Sequence, residues 1–157
     1  MIVWLGFALA ATALQEALLR LALLDPALVA VSTLFSGAIF LGAGAYQFSS
    51  LKHACLTLCG RPFPYLLANW RSEAKGVFRL GLAQGLYCLG CCWAIMLVMF
   101  AVGVMNVAWM AVLGVVMGVE KLFAAPRLAR AIGVVLMGIG ALFVASSVVE
   151  HWPARAG

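Results

Sequence analysis

Five continuous apolar runs make up most of this chain, and no other feature restricts its fold as tightly. They cover residues 2–24, 28–48, 81–104, 106–119 and 132–149. Most approach or exceed the roughly 20 helical residues needed to cross a hydrocarbon layer. Lipid offers no hydrogen-bond partners to a backbone, so such a segment must be a helix or part of a closed barrel. The runs are unbroken and do not alternate, which selects helices. The expected fold is therefore all-α: a polytopic transmembrane helix bundle of about five spans, a single domain over residues 1–157. Residues 49–80 form the one long polar stretch, expected as a cytoplasmic loop carrying a short helix. Composition agrees, since 66% hydrophobic and 10% charged residues leave too few charges to cover a soluble globule.

The basic residues set an orientation. Lys52, Arg61, Arg71, Lys75 and Arg79 lie between the second and third runs, and Lys121, Arg127 and Arg130 between the fourth and fifth. With five alternating spans these two loops share a side holding eight of the ten Lys and Arg, against Arg20 and Arg155 on the other. Basic loops stay in the cytoplasm, which places the N-terminus there and the C-terminus outside. The net charge of +5 follows from the same rule and from anionic headgroups, so no nucleic-acid partner is expected. The turn between the first two spans is expected at Asp25-Pro26. The fourth run is short: its fourteen residues reach only about 21 Å at about 1.5 Å per residue, so it is expected to be tilted into the bundle or re-entrant. Met1 opens directly onto apolar sequence without a basic flank or cleavage site, as in a fragment or a chain lacking upstream helices.

Five cysteines, an odd and clustered set, do not read as a disulfide framework. Their chemistry is that of reduced thiols or of thiolates holding a metal. Three fall in Tyr87-Cys88-Leu89-Gly90-Cys91-Cys92-Trp93 of the third run. Spacings of three and four put Cys88, Cys91 and Cys92 on one broad helical face, which Met96 and Met99 extend. Thiolates and thioethers are soft donors that favour Cu(I) over Zn, although Cys and Met also serve as plain packing residues. The other two, Cys55 and Cys59, lie one turn apart in the loop, on a helix expected to end near Gly60-Arg61-Pro62. Both groups sit toward the cytoplasmic side, so Cys55 or Cys59 is expected within metal-sharing reach of Cys88, Cys91 or Cys92. Two to four thiolates would close a trigonal or tetrahedral site. His53 lies off the Cys55/Cys59 face.

Polar residues inside the runs need partners. In the fourth, Asn106, Met110, Met117 and Glu120 fall near one stripe, and Glu120 is expected to bind a cation or to pair with Lys121 or a loop arginine. Gln15 and Glu16 need partners if buried. Gly81 with Gly85, and Gly114 with Gly118, have the spacing of close helix packing. No Gly-rich phosphate loop, Ser/His/Asp set or carboxylate pair is present to carry hydrolase or transferase chemistry.

The chain resembles a bacterial family of predicted metal-binding integral membrane proteins. The resemblance covers about residues 44–140 and rests on motifs that occur in order. These are Tyr46-Gln47, Leu51-Lys52, Cys55, Cys59, Arg61-Pro62 and Trp70-Arg71, followed by Gly81, Gly85 and Tyr87-Cys88. Gly90-Cys91-Cys92-Trp93, Met96, Gly103, Met105-Asn106, Trp109-Met110 and Glu120-Lys121 complete the set. Members of that family have further upstream helices with a methionine-rich segment that this chain lacks. The resemblance implies a multi-pass protein of the bacterial inner membrane with metal-binding cysteines.

Three functions are in competition. The leading one is a membrane metal-handling protein, most plausibly for copper, that passes the ion along Cys88, Cys91, Cys92, Cys55, Cys59, Met96 and Met99. The second is a thiol–disulfide oxidoreductase using Cys88-Leu89-Gly90-Cys91. The third is a non-catalytic subunit of a larger membrane complex, partnered by the bilayer and by other membrane subunits.

Overall fold

A computed structural model describes residues 1–25 and 30–151, with side chains as far as Val149. Pro26 of the expected turn, the start of the second apolar run and Arg155 lie outside the described residues. The described chain is all helical: α1 (Ile2–Arg20), α2 (Thr33–Tyr46), α3 (Ser50–Gly60), α4 (Pro62–Ala68), α5 (Ala74–Leu97), α6 (Met99–Val102), α7 (Val107–Phe123) and α8 (Pro126–His151). No strand occurs among the described residues, where Leu24 and Ala30 form an isolated bridge. Three helices are long and apolar enough to cross a membrane: Ile2–Arg20, Ala74–Val102 (α5 continued through α6) and Pro126–Val149.

Helix limits depart from the apolar runs because charge does not end a helix; caps and prolines do. The third run was expected to start at residue 81, yet α5 begins at Ala74 and carries Lys75 and Arg79 in its first turns. That helix stops at Leu97, and Gly103, with φ 99°, turns the chain after α6. Asn106 then caps α7, its side chain accepting from the backbone N–H groups of Ala108 at 3.1 Å and Trp109 at 3.3 Å. This helix runs past Glu120 and Lys121 to Phe123, 17 residues, where a shorter span was expected. The second run, expected over 28–48, holds a helix of only 14 residues. The polar stretch carries two short helices where one was expected: Ser49 caps α3, and Pro62 occupies the first turn of α4.

Small residues set the main helix contact, but not those expected. Gly37 and Gly44 on α2 lie against α8, antiparallel to it, and Gly133 and Gly140 answer from α8. A Cβ at Gly44 would stand 2.9 Å from the Gly133 carbonyl oxygen, and one at Gly140 3.0 Å from that of Gly37. Of the expected glycines only Gly85 is close to a neighbour, Val3 of α1; Gly81, Gly114 and Gly118 face open space. Beside α2 and α8, the apolar core gathers Phe40, Ala43, Ala94, Ile95, Val98, Ala101, Leu113 and Leu136. Phe40 and Phe143 stack across it at 5.7 Å. Helix α1 has no buried residue, and its Glu16 pairs with Arg20 on the same helix at 2.9 Å, so it needs no partner elsewhere.

Candidate metal centre

Helix α3 is amphipathic in an unusual sense: at spacings of three and four, Lys52, Cys55, Leu56 and Cys59 fall on one face. Lys52, Cys55 and Leu56 are buried. That face lies on the stretch of α5 where Gly90 leaves room for it. A Cβ at position 90 would stand 2.8 Å from the Cys55 sulfur, so the thiol occupies the space of an absent side chain. Around this contact Cys55, Leu56, Cys91, Cys92 and Ala129 form a second buried cluster, edged by Trp4, Cys59, Tyr87, Met96 and Met117.

All five cysteines are free thiols. Cys59 packs at the edge of the cluster that holds Cys55, Cys91 and Cys92, and the next residue, Gly60, lies against the Lys121 carbonyl oxygen. The Cys91 and Cys92 thiols both donate to the Cys88 carbonyl oxygen, at 3.1 and 3.0 Å. Hydrogen bonding to Cys91 and burial push the Cys59 thiol well above its usual range, and burial raises Cys55. Both therefore stand as neutral thiols at neutral pH.

The expected meeting of the loop thiols with those of the third span is thus present in the fold. The expected closed trigonal or tetrahedral cage is not: among the described residues no group of three or more His, Cys, Asp and Glu is arranged to hold a metal ion. Cys55, Cys91 and Cys92 share the buried cluster and Cys59 packs against it. Met96 packs on the thiol cluster, whereas Met99 lies past the end of α5 and packs on the other core. Met110 is exposed and Asn106 is a cap, so neither joins Met117 and Glu120 in a buried stripe.

Sequence reasoning used Lys52 only as a loop charge and a motif residue, and for Glu120 it offered a bound cation, Lys121 or a loop arginine as partner. Glu120 is buried at the end of α7, and Lys52, not Lys121 or an arginine, donates to its Oε2 at 2.8 Å. The same ammonium donates to the Cys91 carbonyl oxygen. Lys121 instead turns toward the thiols, its Nζ 3.1 Å from the Cys88 sulfur. One carbonyl earlier on α5, the Tyr46 hydroxyl donates to Gly90 at 2.6 Å, and the Tyr46 ring meets Trp93 edge-on at 5.0 Å. Lys52 was detectable from its place three residues before Cys55 on the same helical face. The pairing across 68 positions of chain had no local signal.

No curated protein and no solved structure matches this chain. The model of the copper chaperone family PpoB2 matches residues 1–143, and the chain belongs to that family.

Proposed function

We propose that the protein is an integral membrane copper chaperone that takes Cu(I) on pairs of thiols where α3 meets α5 and hands it on by ligand exchange. The observation that carries this reading is the buried cluster that brings Cys55 and Cys59 of α3 against Cys91 and Cys92 of α5. Cu(I) is a soft ion that sulfur donors select. It is content with two of them, so a pairwise arrangement suits it where a tetrahedral ion would be left short. Copper here is cargo. An incoming thiolate adds to the two-sulfur complex, one original sulfur departs, and the ion moves one ligand along.

The chemistry also needs protons to move. A thiol held neutral must lose its proton as the metal binds, so loading releases protons and unloading takes them up. Met96, at the edge of the cluster, adds a thioether that holds the ion without a proton change. Met99 lies outside that reach. Three helices long and apolar enough to cross a membrane support a bilayer setting for this exchange, and the basic loops support a cytoplasmic side of a bacterial inner membrane for Cys55 and Cys59.

Anaerobic competition against a chromophoric Cu(I) chelator tests the reading in detergent-solubilised protein. The wild type should hold about one Cu(I), and Cys59→Ser should weaken it about a hundredfold, which is about 2.7 kcal/mol. Replacing Cys88, Cys91 and Cys92 together by Ser should abolish retention. A triple variant that holds copper like the parent leaves these thiols as packing residues and defeats the proposal.

A further inference from the structure

We infer that Lys121 is a specificity-determining residue, whose single positive charge selects a monovalent ion over a divalent one at the thiol pair. The inference rests on the proposed copper reading and goes beyond it to the basis of ion choice. Among the described residues, the charged side chains that hydrogen-bond in this region besides Lys121 are Lys52 and Glu120. Lys52 and Glu120 are both buried and 2.8 Å apart, so they compensate each other. Lys121 remains, its ammonium 3.1 Å from Cys88.

The position of Lys121 is held from two directions. Its side chain reaches Cys88 on α5. Its backbone carbonyl lies against Gly60, where a Cβ would come within 2.9 Å. Gly60 directly follows Cys59, so Lys121 is fixed beside both thiols of one candidate pair.

Charge arithmetic then discriminates. Two thiolates with Cu(I) carry a net charge of minus one, which the Lys121 ammonium balances. Two thiolates with Zn(II) carry none, so the same ammonium becomes an uncompensated charge beside the ion. In this half-buried setting, one unit of charge at such range changes affinity by about a hundredfold. A four-thiolate zinc site would reverse the balance, but zinc needs all four donors and no such grouping is present among the described residues.

The test uses the full chain in detergent under anaerobic conditions, with Cu(I) and Zn(II) affinities measured separately by chelator competition. Lys121→Gln keeps a hydrogen-bond donor and removes the charge; Lys121→Arg keeps the charge. The glutamine variant should lose about a hundredfold in the ratio of Cu(I) to Zn(II) affinity, and the arginine variant should restore most of it. Melting of the metal-free variants reports folding, and Lys121→Met replaces the glutamine variant should that one fail to fold. Equal loss of both ions shows a structural residue and overturns the inference, as does an unchanged ratio. A wild type that binds no Cu(I) defeats the copper reading itself, a different outcome from a wild type that binds copper without discrimination by Lys121.

Discussion

Glu120 and Lys52 each keep no more than 2% of their surface exposed, and the carboxylate's second oxygen has no hydrogen-bond partner. Breaking such a pair by removing one partner costs about 3–5 kcal/mol, whereas replacing both by apolar residues is often neutral. Glu120→Gln is therefore expected to lower the unfolding midpoint of the purified protein sharply, and Lys52→Met with Glu120→Leu to leave it near the parent. Thermal or denaturant unfolding in detergent reads both, and equal loss in the single and double variants would show that the pair's charges are not what matters. At this scale the sequence was half legible. Spacing brought out the thiols, because three cysteines within five residues have to share a helical face. Glu120 stood out as an ionisable group beside an apolar run. Its partner did not, since burial of Lys52 is decided by how α3 lies on α5 and α7, and no local pattern contains that.

Helices were legible as runs and illegible as boundaries. Apolar length located α1, α5 and α8, but Lys75 and Arg79 sit inside a helix whose run began only after them, and Glu120 and Lys121 inside one whose run had ended before them. Helix packing was misplaced for a related reason. Spacing of four marked Gly81, Gly85, Gly114 and Gly118, while the glycines that touch are seven apart on each of two helices. Seven residues are close to two turns, so a facing pair of helices can meet there just as well. Gly44 is a direct test, because a Cβ there would lie 2.6 Å from Met137 Cγ as well as against the Gly133 carbonyl. Gly44→Ala should destabilise by about 1–3 kcal/mol, as overpacking does. Gly42→Ala, on the same helix with nothing within 4 Å, should be neutral or stabilising by up to about 1 kcal/mol. Unfolding in a detergent series measures both, and equal effects would remove close packing as the reason for Gly44.

At the scale of the molecule, the two basic loops meet. A Cβ at Gly60, which ends α3, would lie 2.7 Å from the Ala124 Cβ just past the end of α7. The polar segment that follows α2 and the one that precedes α8 are therefore at one end of the bundle. The eight-to-two asymmetry of Lys and Arg had assigned them to one side on charge alone. With the proposed orientation, a fluorescent reporter inserted between residues 72 and 75 should be active and a periplasm-dependent phosphatase at the same place silent. Phosphatase activity there would reverse every loop assignment and put α3 with its thiols on the outer face. The all-helical class of this molecule was legible because long unbroken apolar runs select helices. Its interior arrangement was not, because α3 lies in a stretch that reads as a loop and yet supplies a buried face.

The notch at Gly90 couples two distant positions in inheritance. A Cβ at 90 would stand 2.8 Å from the sulfur at 55, so position 90 cannot gain a side chain while that sulfur stays in place. A descendant chain that acquires alanine at 90 has to shrink the side chain at 55 or lift α3 from α5. Lifting the helix also withdraws Cys59 from the cluster. Among relatives, a sulfur at 55 should accordingly be found only where the backbone at 90 is bare, as a key is kept only while its lock is.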